Sequence, residues 1–106
     1  DVWQKLIFKN MIIELKKFGA ILNSRQLGRE AFLAFSSNLD KCTEAEKIYI
    51  DFSGLSSISP SWADEFLVPI FKKFPDKVIL KKEKDSPVVF VTNILEKTNN
   101  IKFNWE

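Results

Sequence analysis

The chain has 106 residues, 45% of them hydrophobic and ten of them Phe, and a net charge of +2 from 16 basic and 14 acidic side chains. That length suits one domain with a real core, and so even a charge balance gives no footprint for nucleic acid or an anionic membrane. One cysteine, Cys42, excludes an internal disulfide, and the lack of histidine excludes a Cys/His zinc site.

Residues 6–15, Leu-Ile-Phe-Lys-Asn-Met-Ile-Ile-Glu-Leu, predict a strand. Gly19 marks a turn, and Ala20-Ile21-Leu22 predicts a short second strand. Asn23-Ser24 offers a cap for a helix from Arg25, with Leu27, Ala31, Phe32 and Phe35 at helical spacing. Residues 37–46 are polar and predict a connection. Cys42 within it has no partner that would make it a nucleophile and is read as incidental. Ile48 to Phe52 predicts a buried strand, followed by a loop with five serines between positions 53 and 61.

A helix opens at Ser59-Pro60, because Ser can cap and Pro has no N–H to lose at the first helical position. Trp62, Ala63, Phe66, Leu67, Ile70, Phe71 and Phe74 form its apolar stripe. Pro69 inside it predicts a kink, at a cost of about 3 kcal/mol if unrelieved. Lys77 to Glu83 predicts another strand, and the mixed charges of residues 81–85 a solvated turn. Ser86-Pro87 repeats the helix opening, with Val88, Val91, Leu95 and Thr98 on one face. Ile101 to Trp105 alternates and predicts a closing strand.

Strands and helices alternate, so the expected class is α/β: a small layered sheet with helices packed mainly on one face. The expectation is a single domain over residues 1–106, and a start at Asp1 rather than Met fits a domain taken from a longer chain. No apolar run approaches the ~18 residues of a bilayer crossing. The signal-peptide pattern is missing too, and a cytoplasmic setting is expected, with no membrane and no nucleic acid as partner.

Active surfaces in such folds lie beyond the carboxyl ends of the strands, where the 51–61 loop falls. Hydroxyls there stand at a helix N-terminus, where a phosphate is best tolerated. The same serines also serve as ordinary cap and turn residues. A serine hydrolase would need a base, usually His, and there is none. Gly19, Gly28 and Gly54 are scattered, so no phosphate loop is met. Asp51, Asp64 and Glu65 could bind Mg²⁺ through oxygen, but Asp64 and Glu65 equally suit the first turn of a helix. Asp51 and Pro60 are read as structural, Asp51 accepting N–H groups of its loop. Trp62 is either a buried anchor or a partly exposed contact. No catalytic residue, metal or cofactor is expected, and the chain is not read as an enzyme.

The stretch 48–66, from Ile48 through Asp51-Phe52-Ser53-Gly54 to Ser59-Pro60-Ser61-Trp62-Ala63-Asp64-Glu65-Phe66, resembles the signature of the STAS-like domains of unknown function. That group reads as an apolar strand, Asp-Phe-x-Gly, an aliphatic residue, then Ser/Thr-x-Ser-aromatic-Ala-Asp-Glu. Upstream, residues 22–32 resemble the group's first helix at Ser24-Arg25. By extension the chain is similar to the STAS domains of anti-sigma-factor antagonists. Those pair with a histidine-kinase-like ATPase, which phosphorylates a serine where the helix after the central strand begins. Their loop reads Asp-Ser-Ser-Gly. Aligned from Asp51, it falls on Ser59, Pro60, Ser61 and Trp62, so the acceptor type survives at Ser61 while the other three residues differ.

The resemblance implies a regulatory protein–protein interaction module with Ser61 as phosphoacceptor and a histidine-kinase-like ATPase as partner. Its interface would use Ser53, Gly54, Ser57, Ser59, Trp62, Asp64 and Glu65, with Ser24 and Arg25 from the first helix. One alternative is a nucleotide- or small-ligand-binding sensor, in which the same loop holds a phosphate and Arg25 or Arg29 pairs to it. The other is an inert docking or dimerisation domain.

Overall fold

The computed structural model describes residues 10–81 and 86–106, the side chains of Ser86 and Pro87 excepted. Strand β1 (Asn10–Glu14) runs into a 3₁₀ turn (Leu15–Phe18), short strand β2 (Ile21–Leu22) and helix α1 (Arg25–Phe35). A second 3₁₀ turn (Ser36–Asn38) leads to α2 (Leu39–Glu44), β3 (Lys47–Asp51) and β4 (Ser57–Ile58). Helix α3 (Pro60–Lys73), strand β5 (Val78–Leu80), helix α4 (Ser86–Asn99) and strand β6 (Asn104–Trp105) follow.

The main sheet has four strands in the order β1-β3-β5-β6, every pair parallel. Parallel neighbours need crossover connections, and these are right-handed almost without exception. Since the order steps in one direction only, each crossover lands on the same side of the sheet. Alternation along the strands agrees. Ile13, Ile48, Ile50, Val78 and Leu80 are buried under the helices, whereas Ile12 is 56% exposed and Tyr49 and Ile79 are half-buried. The layered α/β architecture with helices mainly on one face is therefore the observed one.

Under the helices, Trp62 and Phe66 of α3 stack at 4.9 Å between ring centroids, with Phe18 4.8 Å and Phe35 5.7 Å from Phe66. Pro69 does not end α3, which continues to Lys73. Its flanking residues Val68 and Ile70 are buried, and the burial of this stripe, at about 25 cal/mol per Å² of apolar surface, outweighs one lost helical hydrogen bond.

Four sequence expectations need revision. The connection at 37–46 contains α2, and Cys42 is a core residue with no exposure, its Sγ 3.5 Å from Met11 Sδ. Burial pushes its thiol pKa up, against the lowering charge of Lys77. A polar segment forms this helix because Lys77 Nζ, 2.7 Å from the Thr43 carbonyl, satisfies its C-terminal end. The strand expected at 6–15 is seen as Asn10–Glu14, with 6–9 outside the described residues. The strand expected at 77–83 is three residues long, and its last two expected positions also lie outside the described residues. The closing strand is only Asn104–Trp105.

Candidate functional site

Strands β2 and β4 form a separate two-stranded parallel sheet, with Ile21 opposite Ser57 and Leu22 opposite Ile58. The serine loop is thereby tied to the segment before α1: Ser56 N–H donates to the Ala20 carbonyl at 2.7 Å, and Ser59 N–H to the Leu22 carbonyl at 2.8 Å. Each short strand leads into a helix through a serine. Ser24 Oγ accepts from Leu27 N–H at 3.1 Å, and Ser59 Oγ from Trp62 N–H at 3.2 Å. Two helix N-termini, each with free N–H groups and a partial positive charge, are thus drawn to one corner of the domain.

Gly28 lets them meet. A Cβ built there would stand 2.5 Å from the Trp62 carbonyl oxygen and 2.9 Å from its Cα. Only a residue without a side chain permits this approach of backbone to backbone. Sequence reasoning noted Gly28 merely as an isolated glycine. Its place inside an amphipathic helical pattern, where glycine costs about 1 kcal/mol relative to Ala, was the available signal of a packing role.

Charge closes the same corner. Arg25 Nη1 lies 2.7 Å from Asp64 Oδ2 and 3.0 Å from Glu65 Oε1. Asn99 of α4 donates from Nδ2 to Asp64 Oδ1 at 3.0 Å and to the Leu95 carbonyl at 3.0 Å. Asp64 therefore links three helices, and no local pattern announces Asn99. Partial burial pushes the Asp64 carboxyl up, but the hydrogen bonds from Arg25 and Asn99 with the charges of Arg25 and Lys72 outweigh it, so its pKa lies below the ordinary value. The guanidinium of Arg25 is held above its own ordinary value, first by the Asp64 hydrogen bond and then by that of Glu65.

The expected interface residues sort clearly. Ser53, Gly54 and Ser57 are exposed on the loop, and Ser24 and Arg25 are exposed at the start of α1. Asp64 and Glu65 are half-buried and held by Arg25. Trp62 is 2% exposed, so it takes the buried alternative and has no indole surface to offer a partner. It turns inward because Phe18 and Phe66 complete an aromatic cluster around it. Ser61, one residue away, is half-buried in the first turn of α3, and its hydroxyl has no hydrogen-bond partner among the described residues.

Asp51 accepts the Ser53 N–H at 2.9 Å, as its structural reading requires. Desolvation works against this carboxylate, but the Ser53 hydrogen bonds and the charges of Lys81 and Lys16 leave its pKa lowered. Pro60 is the first residue of α3. Gly54 has a φ of +82° and lies against Lys16, whose Cδ would be 3.1 Å from an added Cβ. Among the described residues no three carboxylates, cysteines or histidines converge as a metal site, so Asp51, Asp64 and Glu65 do not assemble the ligand set considered for Mg²⁺. In the nucleotide alternative Arg25 is already committed to two carboxylates, which leaves Arg29, exposed one turn along α1.

Residues 35–85 match the family model described as a STAS-like domain of unknown function, the family that residues 48–66 resemble. The matched segment holds β3, the serine loop, α3 and β5, while Ser24, Arg25 and Gly28 precede it. No curated protein and no solved structure matches the chain. No helix of the described residues is long and apolar enough to cross a membrane.

Proposed function

We propose that the chain is a non-catalytic, cytoplasmic regulatory module that binds a partner protein through the corner where α1 and α3 begin. The reading rests on Ser61: it lies in the first turn of α3, partly exposed, with its hydroxyl unengaged among the described residues, while Ser24 and Ser59 beside it are spent as caps. Asp64 and Glu65, three and four residues on, share its side of the helix. A phosphoryl group at Ser61 adds about −1.5 to −2 charge at neutral pH. The helix N-terminus favours that charge within the domain. A partner docked over the corner must desolvate it against two carboxylates, so the modification acts on the complex and leaves the fold standing. The partner that fits the STAS resemblance is a histidine-kinase-like ATPase.

Incubation of the domain with such an ATPase and ATP, followed by peptide mass spectrometry, tests the acceptor. One phosphoryl group on the wild type and none on Ser61→Ala is expected. Calorimetry with the same partner should find Ser61→Ala bound like the wild type and Ser61→Glu bound more weakly, with unchanged circular dichroism. Equal affinities for all three proteins place Ser61 outside the interface and overturn the reading.

A further inference from the structure

Arg25 holds its two carboxylates with a single nitrogen. Both contacts, to Asp64 Oδ2 at 2.7 Å and to Glu65 Oε1 at 3.0 Å, come from Nη1. Among the described residues its Nε and Nη2 have no hydrogen-bond partner, and the side chain is 56% exposed. Those two nitrogens form the side edge of the guanidinium, the fork that takes two oxygens of one phosphate or carboxylate. Helix α3 sets where this edge lies. Residues three and four apart on a helix are surface neighbours, so Asp64 and Glu65 occupy the two positions one turn beyond Ser61 on its own side. Helical side chains lean toward the N-terminus. The guanidinium that bridges Asp64 and Glu65 therefore stands over the turn that carries Ser61. The other cation whose charge reaches Asp64 is Lys72, about three turns further along α3 than Ser61.

We propose that Arg25 is the internal counter-charge of a phosphoryl group on Ser61, turning its free Nε–Nη2 edge onto the phosphoryl oxygens when that group is added. This role of Arg25 rests on the reading of Ser61 as the acceptor. In the transfer the γ-phosphoryl of ATP bonds to Ser61 Oγ, its bond to ADP breaks, and the hydroxyl proton is released to solvent. Three anionic groups then share one side of α3, and the phosphoryl group carries the largest charge, about −1.5 to −2. A bidentate pair between guanidinium and phosphate is among the strong charge-assisted contacts. A free nucleotide would have to displace the carboxylates from solution, whereas this phosphoryl group is held beside the guanidinium by the helix itself. Asp64 is not stranded when Arg25 turns, because Asn99 Nδ2 bonds its other oxygen, Oδ1, at 3.0 Å. The unmodified domain presents the Arg25 edge to solvent at the docking corner. The modified domain spends that edge internally, so phosphorylation withdraws a donor from a partner as well as adding charge.

The test needs no kinase. A phosphoryl group is placed on Ser61 during synthesis of the chain, and its second ionisation, ordinarily near pH 6, is followed by phosphorus NMR. A cation in contact favours the dianion. Arg25→Gln is therefore expected to make the phosphoryl group hold that proton about tenfold more tightly. Arg29→Gln, at an exposed position one turn along α1, should leave the ionisation unchanged. Arg25→Lys, which keeps the charge without the fork, should fall between. With Arg25 in place, its Nε–H signal should shift as the phosphoryl group ionises, a readout that needs no variant and stands even if Arg25→Gln does not fold. An ionisation indifferent to Arg25, a shift that follows Arg29 instead, or an Arg25 Nε–H signal insensitive to the phosphoryl group would each overturn the proposal. Failure of a kinase to modify Ser61 bears on the acceptor reading alone, since the phosphoryl group here is installed without one.

Discussion

Ser24 and Ser59 each cap a helix by accepting the N–H three residues on, yet the two backbones differ. Ser59 has φ −96° and ψ 152°, the extended conformation usual for a cap, and Pro60 follows with its φ already suited to the helix. Ser24 has φ 70° and ψ 144°. That is territory for glycine, and holding serine there costs of order 1–3 kcal/mol. Local chemistry therefore suffices to begin α3, whereas α1 begins in a strained geometry that other contacts hold. Those contacts are visible: the Ala20 carbonyl bonded to the N–H groups of Ser56 and Ser57, Arg25 on Asp64 and Glu65, and Gly28 against the Trp62 backbone. The part of the corner outside the family match is the part under strain.

The largest test of that difference is Gly28→Ala. A methyl 2.5 Å from a carbonyl oxygen must push α1 from α3, since neither neighbour is a flexible side chain. Overpacking of this sort costs about 1–3 kcal/mol, and we expect the upper end by urea denaturation, despite the better helix propensity of Ala. A variant as stable as the wild type would show that α1 can shift freely and that the contact does not hold its strained start.

Next comes Ser59→Ala, which removes the α3 cap and should cost about 1 kcal/mol. It should leave α1 in place, which the near-ultraviolet spectrum of the Trp62 cluster can report. A larger loss would mean that the two helix starts depend on each other more than their separate caps indicate.

Asp64→Asn should have a smaller effect at neutral pH and a distinct one in acid. The folded-state pKa of Asp64 is depressed, so its contribution is present above the unfolded value, about 4, and is lost as pH falls through the folded value. Asp51 acts with the same sign. Denaturation midpoints measured from neutral pH downward should fall in the wild type and fall less steeply in Asp64→Asn. An unchanged slope would remove Asp64 as the tie among three helices.

The smallest effect is expected of Ser24→Gly, and it separates the two caps most sharply. Glycine loses the cap hydrogen bond, for about a few tenths of a kcal/mol, and gives the unfolded chain more freedom to lose, for about 0.5–1 kcal/mol, but adopts φ 70° without strain. The net change should lie near zero or be stabilising. Ser59→Gly has no strain to relieve and should be destabilising. If both glycines destabilise alike, Ser24 is not strained in solution.

The features legible in advance share a cause: each is enforced within a few residues. The apolar run from Ile48 to Phe52 marked the buried strand, the stripe from Trp62 to Phe74 marked α3, and Ser59-Pro60 marked where it begins. The paired carboxylates Asp64 and Glu65 were singled out, but their partners were not, because Arg25 and Asn99 are each 35 or more positions away. Helix α2 was missed because its six residues present no stripe, and its end is satisfied by Lys77 from another part of the chain. Strand β2 stands where Ala20-Ile21-Leu22 predicts it, but its partner β4, two residues within the serine loop, is too short for any alternation to show.

The amino-acid sequence by itself determined the α/β class, the serine-rich turn after the central strand and the match of residues 35–85 to the STAS-like family model, since periodicity, capping and motif are properties of neighbours along the chain. Which way Trp62 turns, what Asp64 binds, and that two helix N-termini share a corner were decided only by tertiary structure. Each of these depends on distances between segments far apart in sequence, set by one-directional strand order and by Gly28, where two helix backbones touch.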